Sequence, residues 1–156
     1  MNQAQNLKVV NYCPPTAIKD NASFTTNAID TAGFGKLAIY FTLGATDIAM
    51  TALKVQESDS KTDSTTLSSG ADITGLVYGT SANPETGTTS ALPTADDDNK
   101  VFAFFINLSG RKRYIDVVAT AGDGSAGTFG SGVAFLYDGD GINTAAERGL
   151  AANLIK

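Results

Sequence analysis

Residues 99–138 (NKVFAFFINLSGRKRYIDVVATAGDGSAGTFGSGVAFLYD) constrain this chain most. They read as three strands, at 101–108, 113–120 and 133–137, separated by a short turn at Ser109-Gly110-Arg111-Lys112 and a Gly-rich connection over 121–132. In the first strand Val101, Ala103 and Phe105 alternate with Phe102, Phe104 and Ile106. Both sides are apolar, so the pattern calls for burial on both faces or for one face set against a partner. Upstream, residues 36–43 (KLAIYFTL) form another strong strand. Leu37, Ile39, Phe41 and Leu43 fall on one face, and Ala38, Tyr40 and Thr42 on the other. Residues 48–57 (IAMTALKVQE) suit helix by composition and strand by alternation. Strand is favoured, which makes 36–57 a hairpin with a short connection at 44–47. Shorter strands are expected at 7–13, ended by Pro14-Pro15, and at 73–78.

Between these runs lie polar loops at 58–70 (SDSKTDSTTLSSG) and 79–93, and an aspartate triplet at Asp96, Asp97 and Asp98. About eight short strands with such spacing predict an all-β fold: an antiparallel β-sandwich, jelly-roll-like, in which the long connections make Greek-key crossings. Residues 144–155 read as a short C-terminal helix carried by Ala145, Ala146, Glu147 and Arg148. The whole of 1–156 is expected to be a single β-sandwich domain with an N-terminal arm over about 1–15 and a C-terminal tail over about 142–156. At 156 residues it is long enough to bury a core without staples.

Function classes are narrowed mainly by what the composition lacks. There is no histidine, one cysteine and no tryptophan. Histidine is the commonest general base and metal ligand, so triads of the Ser-His-Asp or Cys-His kind are excluded, as is structural zinc. No disulfide forms within the chain, and Cys13, next to two prolines, reads as a buried small residue. No phosphate-binding glycine motif stands in strand–helix context. Paired aspartates are a glycosidase possibility, and the Asp96–Asp98 triplet could hold a divalent cation weakly, but the acidic residues read foremost as turn and loop carboxylates, and the DGDGIN stretch from Asp138 does not complete a calcium loop. No catalytic residue, metal site or cofactor is therefore expected. The net charge of -5 disfavours nucleic acid as a partner. No run is long and apolar enough to span a membrane, and the N-terminal residues do not read as a secretory signal, so synthesis in the cytoplasm is expected.

Arg111, Lys112 and Arg113 form a basic turn on an acidic chain, with Tyr114 beside it. Two readings stand: a solvated hairpin tip, or a contact point for an acidic protein surface.

The blocks LKVQESD (53–59), DITG (72–75), LPTADDDNKV (92–101) and LSGRKRYIDVVATAGDGSAG (108–127) resemble, in this order, small proteins of tailed bacteriophages encoded near the head genes. With the flanking strands the resemblance covers about 36–138, and residues 142–156 match nothing in it. It implies a structural virion protein, foremost a capsid decoration or cement protein on the head exterior. Its partners would be the major capsid protein and further copies of itself, with a homotrimer favoured, and it would supply no catalytic motif. Residues 1–6 and the strand after them would then suit pairing with a capsid edge strand. A tail or fibre component, another capsid subunit, and a glycan- or host-surface-binding module are the alternatives.

Overall fold

The computed structural model describes residues 6–139, 144 and 146–151. Eight strands follow one another: β1 (Lys8–Cys13), β2 (Ile29–Asp30), β3 (Phe34–Leu43), β4 (Ala52–Ser58), β5 (Ala71–Val77), β6 (Val101–Asn107), β7 (Tyr114–Thr120) and β8 (Gly130–Gly139). They form two four-stranded antiparallel sheets, ordered β1-β8-β3-β6 and β2-β7-β4-β5.

Period-two alternation explains why each strand faces inward as it does. Leu37, Ile39, Phe41 and Leu43 of β3 are all fully buried, as their spacing predicted. Leu53 and Val55 of β4, Ile115, Val117 and Ala119 of β7, and Ala134 and Leu136 of β8 meet them in one cluster. Both sheets therefore share a single hydrophobic core. Tyr12 completes it: its hydroxyl donates to the Tyr40 carbonyl at 3.2 Å, satisfying the one polar atom this ring takes inside. The phenol lies so close over Gly132 that a Cβ there would sit 2.3 Å from the ring.

Strand pairing differs from the sequence expectation in two places. The expected 36–57 hairpin does not form: β3 pairs with β6 and β8, while β4 pairs with β5 and β7 in the other sheet. Residues between β3 and β4 cross from one sheet to the other, and the crossing is tied to distant chain. The Gly44 amide donates to the Phe129 carbonyl at 2.8 Å, the Thr46 amide to Asp98 Oδ1 at 2.8 Å, and the Thr46 and Thr128 hydroxyls bond at 2.7 Å in the interior. Likewise β6 and β7, consecutive across a tight turn, lie in different sheets.

The first described strand and the 146–149 turn meet. Within the segment expected as an N-terminal arm, 8–13 is β1, an edge of the first sheet. The expected C-terminal helix over 144–155 is not among the described elements. Residues 146–149 form a turn, begun by a reciprocal Thr144–Glu147 cap, and 145 and 152–156 lie outside the described residues. That turn closes on β1 through the Val9 amide, which donates to the Arg148 carbonyl at 2.7 Å.

Candidate interaction surface

The basic turn folds back on the chain's own carboxylates. Arg113 holds Asp30 with two hydrogen bonds, Nε to Oδ1 at 2.9 Å and Nη2 to Oδ2 at 2.8 Å. Arg111 Nη1 lies 3.4 Å from Glu57 Oε1, and Lys112 Nζ 3.3 Å from Asp59 Oδ2. The Tyr114 ring lies under both Arg113 (5.1 Å) and Lys61 (5.5 Å). Arg113 holds the Asp30 carboxyl below its ordinary range. The four residues singled out from the sequence are thus brought together, at one end of the molecule, but as a network of paired charge rather than a free cationic patch.

The acidic residues are similarly engaged. Asp97 accepts from Lys100 and from the Thr94 amide, closing a single 3-10 turn (Ala95–Asp97). Asp98 holds the β3–β4 crossing, and Asp47 receives the Ser125 and Ala126 amides. Asp138 lies 3.8 Å from Lys36, Gly139 ends β8, and residues 140–143 of the DGDGIN stretch lie outside the described residues. Among the described residues no group of three or more His, Cys, Asp or Glu could hold a metal ion. Cys13 is buried, and burial pushes its thiol up to about 11. Asp116 is an exception on the outer side of β7: burial raises its carboxyl above the ordinary range, against the hydrogen bond from Thr26.

A second surface was only half visible in the sequence. Of the six apolar residues on β6, Phe104 and Ile106 are buried, whereas Phe105 is 66% and Val101 57% exposed. Register places Phe105, Ala38 and Phe135 side by side across β6, β3 and β8, with Tyr40 one pair further on. Tyr40 packs edge-on against both Phe105 (6.0 Å) and Phe135 (5.8 Å). An aromatic stripe therefore crosses the outer face of the first sheet. The signal was the two-sided apolar pattern of 101–106; what it could not give was the three-strand neighbourhood.

Beside this stripe, β6 is an open edge. The Leu43 amide donates to the Lys100 carbonyl and the Leu108 amide to the Gly35 carbonyl, each at 3.0 Å. Even-numbered residues of β6 therefore turn their backbone groups to β3, and Val101, Ala103, Phe105 and Asn107 turn theirs outward. Tyr78 supports this edge from the core side, packing on Phe102 and Phe104 and donating its hydroxyl to the Ala103 carbonyl at 3.1 Å. A groove of about 550 Å³ runs along the edge between β6 and the chain around Tyr78, Ser81 and Pro84.

The described chain is thus an all-β protein of two antiparallel four-stranded sheets with one outward aromatic face. No protein-family model matches the sequence, and no curated protein does. A crystal structure of the SPBc2 prophage-derived protein YomS is similar over 83% of this chain and 91% of that one, at 7% sequence identity and a TM-score of 0.40.

Proposed function

We propose that this chain is a structural virion protein of a tailed bacteriophage, a capsid decoration protein that binds the head exterior and stabilises it. On this reading it is made in the host cytoplasm, carries no cofactor and catalyses nothing. Its partners are the major capsid protein and further copies of itself. The fold is read as a jelly-roll sandwich, supported by the order β1-β8-β3-β6 over β2-β7-β4-β5. Double-sheet jelly rolls recur in viral capsid and lectin domains.

The observation that carries the assembly role is the aromatic stripe beside an unpaired edge strand. An exposed apolar patch of this kind marks an association surface more often than a solvated one. The basic turn, Arg111 to Tyr114, is the second contact: its paired charges leave Arg113 and Lys112 partly exposed, available to exchange an intramolecular carboxylate for one on a partner.

Co-sedimentation with purified mature heads tests the role. Binding at a fixed stoichiometry is expected, with weaker binding when Arg111, Lys112 and Arg113 are all changed to Ser. A chain that ignores heads at all concentrations would move the assignment to a tail or fibre part, or to a glycan-binding module.

A further inference from the structure

We infer that β6 is a self-association edge: two copies pair antiparallel along it, across a two-fold axis at Phe104, joining their first sheets into one of eight strands. The inference deepens the self-partner part of the reading above. It gives a two-fold contact in place of the three-fold assembly the resemblance implies, and its test uses no phage heads.

The two sheets have four edges, β1, β6, β2 and β5. Exposed edges are normally blunted by charge, bulges, shortness or a covering segment. β1 has a register shift between Val10 and Cys13 and is covered at Val9 by the Arg148 carbonyl. β2 is two residues long. β5 carries Asp72, a shifted register and Gly75 at a φ of +88°. β6 is neither charged, bulged nor short, and the chain beside it engages its outward backbone only at the Ala103 carbonyl, through the Tyr78 hydroxyl, leaving a groove along the edge. Its seven residues, VFAFFIN, hold no charge and no proline, and they pair with β3 without a single shift.

Register then selects the occupant. The outward backbone groups belong to odd-numbered residues, so pairing over the full strand sets Val101 opposite Asn107 of the second copy and Ala103 opposite Phe105 of the second copy. Each exposed phenyl ring thus meets the smallest side chain on the strand, twice over by symmetry. The Ala103 carbonyl keeps a lone pair for this ladder, because Tyr78 reaches it from the core side.

Charge agrees with the antiparallel direction. The acidic turn with Asp96, Asp97 and Asp98 immediately precedes β6, and the basic turn with Arg111, Lys112 and Arg113 immediately follows it. Two-fold pairing carries the acidic turn of each copy toward the basic turn of the other, with Asp96 and Lys112 equidistant in sequence from the axis. Asp96 is exposed, and the Lys112–Asp59 pair is open to solvent on both sides, so these charges can take a new partner. A parallel arrangement would set like against like.

Sedimentation equilibrium of the full chain, with amide exchange at low and high concentration, tests this. A dimer is expected, in which the amides of Val101, Ala103, Phe105 and Asn107 gain protection on association. Phe105→Lys should weaken it about 100-fold by placing two cations in the contact. Asp96→Lys and Lys112→Glu should each weaken it about tenfold, and an equimolar mixture of these two variants should recover a heterodimer, because both junctions then join opposite charges. Circular dichroism and melting identify any variant that fails to fold, and the charge pair serves as the second arm. A chain that stays monomeric at 100-micromolar order, a dimer indifferent to Phe105→Lys, or protection gained elsewhere than on β6 would each overturn the inference.

Discussion

The outer faces of the two sheets are built on the same alternating scaffold and solve the problem of solvent in opposite ways. On the second sheet, Lys54 reaches Asp72 at 2.8 Å, Gln56 donates to the same carboxylate at 2.7 Å, and the Ser23 and Thr120 hydroxyls bond at 2.8 Å. That face satisfies its polar groups within the chain. On the first sheet the corresponding positions hold Phe105, Ala38, Phe135, Tyr40 and Ala103; Tyr40 packs edge-on against Phe105 and Phe135, and Phe105 faces water. Nothing in the core requires this difference, since both inner faces are equally apolar and pack in one cluster. A face that folding does not need to be apolar, yet is, points to association as the reason for its composition.

The largest effect breaks both faces together. Leu37→Ala empties a fully buried position in the shared core and should cost about 3 kcal/mol, read as a lower urea midpoint with an unchanged slope. Next is a change that strikes the first sheet alone: Gly132→Ala drives a methyl into the Tyr12 ring and should cost about 2 kcal/mol, with the tyrosine near-UV signal altered. Asp116 interrupts the polar economy of the second sheet, because its carboxyl is held in a poorly solvated place. Its folded-state pKa is raised, so its contribution to stability is fully present below the unfolded pKa and is lost as pH rises through the folded one. Asp116→Asn should therefore raise the urea midpoint at neutral pH, and the gain should vanish in acid.

Asp72 behaves in the reverse sense. Hydrogen bonds from Lys54 and then Gln56 lower its pKa, so its contribution is present above the unfolded pKa and disappears as pH falls through the folded value. Lys54→Ala should cost no more than about 0.5 kcal/mol, less in high salt, because the pair is half-exposed. Smallest of all, Phe105→Ser should leave stability within about 0.5 kcal/mol while changing association. That contrast with Lys54→Ala separates a face kept for the fold from a face kept for a partner.

The strands themselves were legible because burial follows alternation. Leu37 to Leu43 and Ile115 to Ala119 announce their inner faces without help from the rest of the chain. Pairing was not legible in the same way. The sequence suggested a hairpin with a short connection at 44–47, whereas β4 begins only at Ala52, and alternation says nothing about which sheet a strand joins. The crossing is decided by contacts such as Thr46 with Thr128, 82 residues apart. The basic turn shows the same limit. Its charge run is plain in the sequence, but Glu57 lies 54 residues from Arg111 and Asp30 lies 83 from Arg113, so its neutralisation appears only on folding. On β6 the sequence marked an excess of apolar residues, and the fold shows which of them remain outside.

Gly149 has a further consequence. Its φ is +74°, and a Cβ there would fall 1.8 Å from the Val9 carbonyl oxygen, so only glycine lets the last turn lie against β1. That turn occupies the outward Val9 amide and so hinders, at β1, the strand addition to a capsid edge that the resemblance implied. A chain with one usable edge stops at a closed pair, whereas a chain with two different usable edges can continue without limit. On the β6 pairing inferred above, the small residue at 149 helps to keep the assembly closed: enlarging it would remove one of the two devices that blunt β1 and leave the register shift between Val10 and Cys13 as the other.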